Sequence, residues 1–290
     1  MKMKHSHTLG AMLIFLLPYA CEASPQLTVP PTATNLPPTS TPTEIPPTPT
    51  PTLTPTPVPN GPCANILYPL LPGNEWVYQT SGAEGQARMT FQVTGVENDL
   101  ASFHVIDESA GVTNDDTVRC QDSAVVNLPL IYISLLLSDY LDGVLNTYQE
   151  SGVTAPSYQT FEENNWSYSW GVEKLVEQPV RVQAPGLQSG QILRDNIIKI
   201  QSETTGTREA VTVPAGTFLQ AILVTNEFRA PVTIGNSGAS FIVKYRECYE
   251  PYVGLLKIQT DSASLDHSGV PIPFPLDKTL ELVAYKVETQ

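Results

Sequence analysis

The residue types that carry catalysis and metal binding are present in this sequence, but their spacing matches no catalytic pattern. The four histidines are His5, His7, His104 and His267, and no pair has the H-E-x-x-H spacing that places two zinc ligands on one helix face. Serines are plentiful, yet no G-x-S-x-G turn exposes one as a nucleophile, and no glycine-rich phosphate loop occurs. The sequence therefore predicts no catalytic residue, no metal site and no cofactor, and we expect a protein that is not an enzyme.

Two compact acidic clusters, residues 114–116 and 162–165, are the remaining candidates for an ion site. Neither has the D-x-D-x-D-G spacing of a calcium loop, so solvated turns are the expected structure at both places. Opposed carboxylates that come from distant parts of a chain leave no pattern in its sequence. A hydrolase with scattered acidic residues therefore stays open as an alternative.

Five aromatic residues that lie close together in the sequence are the candidates for a ligand-binding mouth. Aromatic rings beside a polar loop can stack on a sugar or enclose an apolar ligand, but more often such rings simply pack together and close the end of a barrel. Both interpretations stay open. The five are Tyr158, Phe161, Trp166, Tyr168 and Trp170.

The N-terminal segment has the form of an export signal. Residues 1–4 carry two lysines, and residues 9–17 form an apolar run that is far shorter than the ~20 residues needed to cross a bilayer. Cys21 follows directly, at the position of the lipid-modified cysteine in a bacterial lipoprotein. We expect a signal peptide over residues 1–20 and attachment to the membrane through lipid on Cys21. Ordinary signal-peptidase cleavage, which gives a secreted protein, is the alternative.

Residues 21–61 form a segment dominated by threonine and proline, most regular over residues 28–59. Proline fixes φ and has no backbone donor, so neither a helix nor a strand ladder can form here. The segment also has too few large apolar groups to offset the entropy of ordering. The sequence predicts a disordered, proline-rich stalk that holds residues 62–290 away from the membrane.

Residues 62–290 show the patterns of an all-β domain with one short helix. Met89, Phe91 and Val93 alternate with polar residues, which is the two-residue period of a half-buried antiparallel strand. Residues 127–141 have apolar side chains at helical spacing, and we expect an irregular segment from there to about residue 164. The formal net charge of −14 repels phosphate backbones, so a nucleic-acid partner is not expected.

Three cysteines remain in this exported domain, and two of them are expected to pair. Cys63 precedes the first strand pattern and Cys120 ends the fourth, so an up-and-down meander brings them to the same end of the sheet. The sequence favours a disulfide between these two. Cys248 is either an alternative partner for one of them or a buried thiol.

Three motifs, taken in order, resemble those of a widespread group of functionally uncharacterised bacterial lipoproteins. They are Tyr68-Pro-Leu-x-x-Gly-x-x-Trp-x-Tyr78, Val213-Pro-Ala-Gly-Thr-Phe218 and Tyr252-Val-Gly-Leu-Leu-Lys257. The resemblance implies a strongly curled antiparallel sheet, similar to the half-barrels of lipoprotein carriers. In physical terms the motifs are turns and anchoring aromatic residues, so we expect structural roles for them.

Together these features favour a lipid-anchored, extracytoplasmic β domain on a stalk, either at the cell surface or at the outer face of the cytoplasmic membrane. We expect it to act as a non-enzymatic binding or interaction module for a cell-surface partner. The first alternative is a carrier that holds a lipid or another apolar ligand in the curled sheet, and the second is the hydrolase considered above.

Overall fold

The computed structural model describes residues 61–82, 86–108, 111–183 and 189–288. The predicted signal peptide, Cys21 and the stalk up to residue 60 lie outside these residues. Within the described ranges, no helix is both long enough and apolar enough to cross a bilayer.

The described part of the chain forms seventeen strands and two short helices, α1 (Ile131–Leu136) and α2 (Tyr158–Glu163). The strands are β1 (Glu75–Ser81), β2 (Arg88–Glu97), β3 (Leu100–Asp107), β4 (Val112–Gln121), β5 (Ala124–Val125), β6 (Leu141–Asp142), β7 (Thr147–Gly152), β8 (Ser167–Val176), β9 (Val180–Val182), β10 (Gly190–Ile192), β11 (Ile197–Thr205), β12 (Arg208–Val213), β13 (Gly216–Ile234), β14 (Ser237–Glu250), β15 (Gly254–His267), β16 (Val270–Phe274) and β17 (Thr279–Lys286).

The strands form one strongly curled antiparallel sheet, a half-barrel, which confirms the predicted fold class. Its main order is β4-β3-β2-β1-β17-β15-β14-β13-β11-β8-β7. The short strands β10 and β12 pair with other parts of β13, and β16 pairs with the far half of β15. The first four strands are neighbours in sequence order, as predicted. The main order therefore ends in two edge strands, β4 and β7.

The predicted two-residue period places the core on the concave face of the sheet. Met89, Phe91 and Val93 of β2 are at most 3% exposed, and Phe91 stacks on Phe103 of β3 at 4.4 Å between ring centroids. Asn98, in the β2–β3 turn, has φ of 53°, a conformation that asparagine tolerates better than most residues. The turn joins β2 and β3 as an antiparallel hairpin.

Two of the three sequence motifs contact one another in the fold. The indole of Trp76 donates a hydrogen bond to the carbonyl of Val253 at 2.6 Å, and the Tyr78 hydroxyl donates to Leu255 at 3.1 Å. Gly254 has φ of +111°, and a Cβ built on it would lie 3.1 Å from the Trp76 indole nitrogen. Only glycine suits such a backbone beside a large ring. These motif residues hold β1 against the start of β15, which is a structural role.

The disulfide between Cys63 and Cys120 is present, as predicted from the sequence. It joins Cys63, just after the predicted stalk, to the end of β4 and closes a loop of 57 residues. Cys248 is a buried free thiol, which was the second of the two possibilities left open for it.

Three local predictions were wrong. The helix predicted over residues 127–141 is limited to Ile131–Leu136. The segment expected to be irregular contains β7 and α2, so the domain has two short helices instead of one. Ser157 is the N-cap of helix α2, and its hydroxyl accepts a hydrogen bond from the Thr160 amide. Elements of six residues are too short to show a clear hydrophobic period, which is why the pattern missed them.

Candidate functional site

An open groove of about 1200 Å³ lies between the two edge strands of the half-barrel. We call it the seam groove. Residues of β4 and β7 form its walls, and residues from the segment around α1 form part of its lining. Two of its apolar side chains, Val144 and Tyr148, are 57% and 49% exposed.

The seam is closed at one end by an isolated bridge. Val125 of β5 follows the end of β4 and pairs with Ala155, three residues after the end of β7. The amides of Thr154 and Ala155 both donate to the Val125 carbonyl, at 2.8 and 3.0 Å. Because β4 and β7 both run toward this bridge, they are parallel to each other across the groove.

The backbone of β4 presents alternate residues to the groove. The Cys120 amide donates to Asp99, in the turn before β3, at 2.7 Å, whereas the Arg119 carbonyl faces away from β3 and accepts from the Val126 amide at 3.0 Å. Since backbone groups of successive strand residues alternate in direction, Thr113 and Asp115 also turn theirs away from β3, and Asp115 lines the groove. Within the described ranges, this edge has no partner strand from Val112 to Val118.

The backbone of β7 also presents alternate residues to the groove, from the opposite wall. The Val153 amide donates to the carbonyl of Gly171, in β8, at 3.2 Å, whereas the next amide, that of Thr154, points across the seam to Val125. By the same alternation, the backbone groups of Glu150 face the groove. Two strand edges with backbone groups facing each other therefore border one open space.

The seam groove is acidic. Its lining contains one guanidinium, Arg119, against five carboxylates. The carboxylates belong to Asp107, Asp115, Asp116, Glu150 and Glu177.

A buried lysine lies beside the groove. Lys174 of β8 is 2% exposed and bonds to the Leu128 carbonyl at 2.9 Å and to the Glu150 carboxylate. Burial lowers the pKa of Lys174, and the negative charges of Glu150 and Asp116 oppose that shift. Burial also raises the pKa of Glu150, and Lys174 opposes it. Lys174 thus offsets the charge of one groove carboxylate, and the groove keeps its negative balance.

Residues 114–116 were expected to form a solvated turn, and that prediction was wrong. They lie inside β4 and line the seam groove. Charged residues on an exposed strand discourage uncontrolled edge-to-edge pairing, so a run of polar residues can mark an edge strand. That reading of the sequence T-N-D-D-T would have identified the edge.

The interior of the half-barrel is largely filled by side chains. A cavity of about 50 Å³ remains, and polar groups such as Ser202, Asn226 and Glu247 line part of it. This volume accommodates a few water molecules, each of which needs at least ~10–15 Å³. It is far too small for an acyl chain.

A chain of hydrogen bonds runs from this cavity into the core. The Ser202 hydroxyl donates to the Asn226 side chain at 2.6 Å, and the Asn226 amide donates to the Glu247 carboxylate at 2.9 Å. The Tyr249 hydroxyl also donates to Glu247, at 3.0 Å, and shares a 2.5 Å hydrogen bond with the Tyr68 hydroxyl. In this arrangement, the polar groups satisfy one another's need for hydrogen bonds inside an apolar core.

Glu247 supplies the carboxylic acid in this chain of hydrogen bonds. Some of its residue surface is exposed, but its carboxylate is enclosed, and burial raises the pKa of Glu247 to about 7. The two hydrogen-bond donors, Tyr249 and Asn226, hold that value lower than burial alone would. A carboxyl with such a pKa can act as a general acid or base in an open cleft. Here the hydrogen-bond partners of the carboxyl lie inside the domain, so we interpret the arrangement as a structural polar network.

The five aromatic residues singled out in the sequence do come together. Phe161 stacks on Trp166 at 5.1 Å and meets Trp170 edge-on at 5.6 Å, while Tyr158 and Tyr168 contact the two tryptophans. Phe161 and Trp170 are buried, and Tyr158 is 44% exposed. None of the five lines the seam groove or the interior cavity. Their role as a ligand mouth stays a prediction.

The other sequence candidates are scattered. His104 bonds to Asp115 on the neighbouring strand, His267 ends β15, and residues 162–165 surround the end of α2. Within the described part of the chain, no three side chains of His, Cys, Asp or Glu are placed to hold a metal ion.

Comparison with known proteins finds similarity in solved structures alone. No family model and no curated protein matches the sequence. A predicted lipoprotein from Parabacteroides distasonis ATCC 8503 is 19% identical, with a TM-score of 0.46 over 77% of this chain and 99% of that one. A predicted exported protein with a YmcC-like fold from Bacteroides fragilis NCTC 9343 is 12% identical, with a TM-score of 0.42 and the same coverage.

Proposed function

We propose that this chain is a non-enzymatic binding module that is displayed outside the cytoplasm and binds its partner at the seam groove. Lipid on Cys21 anchors it to the membrane, and residues 21–61 form the stalk. The observation that carries the proposal is the open groove between β4 and β7.

The size of the groove supports a macromolecular partner. Small-molecule pockets commonly have volumes of ~300–1,000 Å³ and enclose most of their ligand. The seam groove is larger, about 1200 Å³, and is partly open to solvent. The interior cavity of about 50 Å³ argues against the carrier alternative, because a lipid would have to displace a packed aromatic core.

Photo-crosslinking from the groove tests the binding role. A photoreactive phenylalanine derivative replaces Val144, which lines the groove, in cells that carry the full chain. Leu219 of β13 is 64% exposed, lies outside the groove lining and provides the matched control position. We expect a discrete adduct from position 144 and none from position 219. Equal labelling from both positions, or none from either, would contradict the proposal.

Metabolic labelling with a palmitate analogue tests the anchor separately. The wild-type chain should be labelled and should sediment with membranes, and Cys21→Ala should lose both properties. Cys248→Ala is the control, because the thiol of Cys248 is buried in the core and its loss should leave the label unchanged. A label that persists in Cys21→Ala would exclude lipidation at this residue.

A further inference from the structure

We infer that the seam groove takes an extended, cationic segment of a partner protein, which adds as a strand between β4 and β7. This inference rests on the proposed binding role of the groove and names the chemistry of the occupant.

The backbone edges make a strand the fitting occupant. Asp115 of β4 turns its amide and carbonyl groups into the groove, and Glu150 of β7 does so from the other side. An extended peptide satisfies such rows by main-chain hydrogen bonds, which is the mode of recognition known as β-augmentation. Because β4 and β7 are parallel to each other, one inserted strand can be antiparallel to both, the more common arrangement in sheets.

The charge of the groove selects a basic segment. Asp116 and Glu150 lie close to Lys174, which supplies one positive charge for the two carboxylates. Asp115 and Glu177 add further negative charge to the lining. Lysine or arginine side chains on an inserted strand would neutralise this excess negative charge, whereas acidic side chains would be repelled.

The exposed apolar residues of the lining favour apolar side chains at alternate positions of the inserted strand. Val144 and Tyr148 are more exposed than most large apolar residues of the domain, and they line the same groove as the carboxylates. Successive side chains of a strand point in opposite directions. A segment in which basic and β-branched apolar residues alternate therefore matches both parts of the lining.

The chain's own stalk is a poor occupant of the same groove. Proline recurs throughout residues 28–59, on average at about every second or third residue. Proline has no backbone N–H and cannot donate to a strand ladder. Glu44 is the single charged residue of that stretch, and it is acidic. Neither the backbone nor the charge of the stalk complements the seam.

Peptide binding to the full-length chain tests the inference. The probe is a fluorescent, end-capped peptide of roughly nine residues with alternating lysine and valine, a length typical of a strand. One control peptide carries glutamate in place of lysine, and another has N-methylated valines, which lack backbone donors. Fluorescence anisotropy at about 0.15 M salt limits long-range electrostatic attraction. We expect saturable binding of the probe and at least roughly tenfold weaker binding of both controls.

Two protein variants locate the binding. Asp116→Lys places a positive charge in the groove and should weaken probe binding about tenfold, whereas Glu203→Lys, on an exposed part of β11 outside the lining, should not change it. Circular dichroism verifies that both variants are folded. Binding that is equal for the three peptides, or lost equally in the two variants, would overturn the inference. If crosslinks from position 144 persist when the probe does not bind, the binding role survives and the strand-addition inference fails.

Discussion

Replacing Glu247 by glutamine is expected to stabilise the protein at neutral pH and to remove part of its pH dependence. The pKa of Glu247 rises from an ordinary 4.5 to about 7 in the fold because its carboxyl is buried. One pKa unit corresponds to about 1.4 kcal/mol, so the shift is worth about 3 kcal/mol. Glutamine keeps an oxygen that accepts hydrogen bonds from Asn226 and Tyr249, and it carries no charge at any pH.

The sign of the effect follows from proton binding. Below pH 4.5, Glu247 is protonated in both the folded and the unfolded chain, and the folded state carries no penalty. Between pH 4.5 and 7, the folded state binds a proton that the unfolded state has released, so the stability falls as the pH rises. Above about pH 7, the carboxylate is charged in both states, and the full penalty of about 3 kcal/mol applies.

Urea unfolding of wild type and Glu247→Gln at a series of pH values from about 4 to 8 measures this penalty. Other buried acids, such as Glu150 and Glu250, have raised pKa values too, but their contribution is common to both proteins. The stability of Glu247→Gln relative to wild type should increase by about 3 kcal/mol across this range. A difference that stays constant with pH would refute the assignment of a raised pKa to Glu247.

Three further variants probe the parts of the fold that support the seam. Replacing both Cys63 and Cys120 by serine should lower the free energy of unfolding by about 4 kcal/mol in the loop-entropy model, and an unchanged urea midpoint would contradict a bridge between them. Gly152→Ala should lower the melting temperature, because φ is +94° and the added Cβ would lie 2.3 Å from the carbonyl oxygen of Gly171 in β8; an unchanged melting temperature would contradict this geometry. Lys174→Met leaves Glu150 buried without its cation and should cost about 3 kcal/mol, more at pH 8 than at pH 5. Equal losses at the two pH values would show that the pair is not ionised in the native state.

The sequence predicted the sheet well because antiparallel strands with one buried face repeat every two residues. Met89, Phe91 and Val93, which alternate with polar residues in the sequence, are the buried residues of β2. The two cysteines of the meander form the expected disulfide. The curl of the sheet came from the motif resemblance, since alternation alone does not specify how far a sheet bends. The short elements α1, α2 and β7 were missed or misjudged, because six residues give too little pattern to distinguish a helix from a loop.

The seam groove could not be predicted, because it depends on which strands remain without a partner. Asp115 and Asp116 were recognised as a cluster, but their position in β4 depends on long-range pairing with β3. Glu150 comes from a segment that showed no strand pattern at all. The five aromatic residues near α2 were correctly expected to be neighbours, yet the groove lies elsewhere. Negative charge on an edge strand was the one available indication.

Residue-level amide hydrogen exchange, with and without the lysine-valine peptide, tests strand addition at the seam most directly. The amides of Asp115 and Glu150 face the groove, so they should exchange quickly in the free protein and become protected when the peptide binds. The amides of Asn114 and Ser151 already face β3 and β8 and should change little. Protection that ignores this alternation, or that is confined to the aromatic residues around α2, would contradict the account.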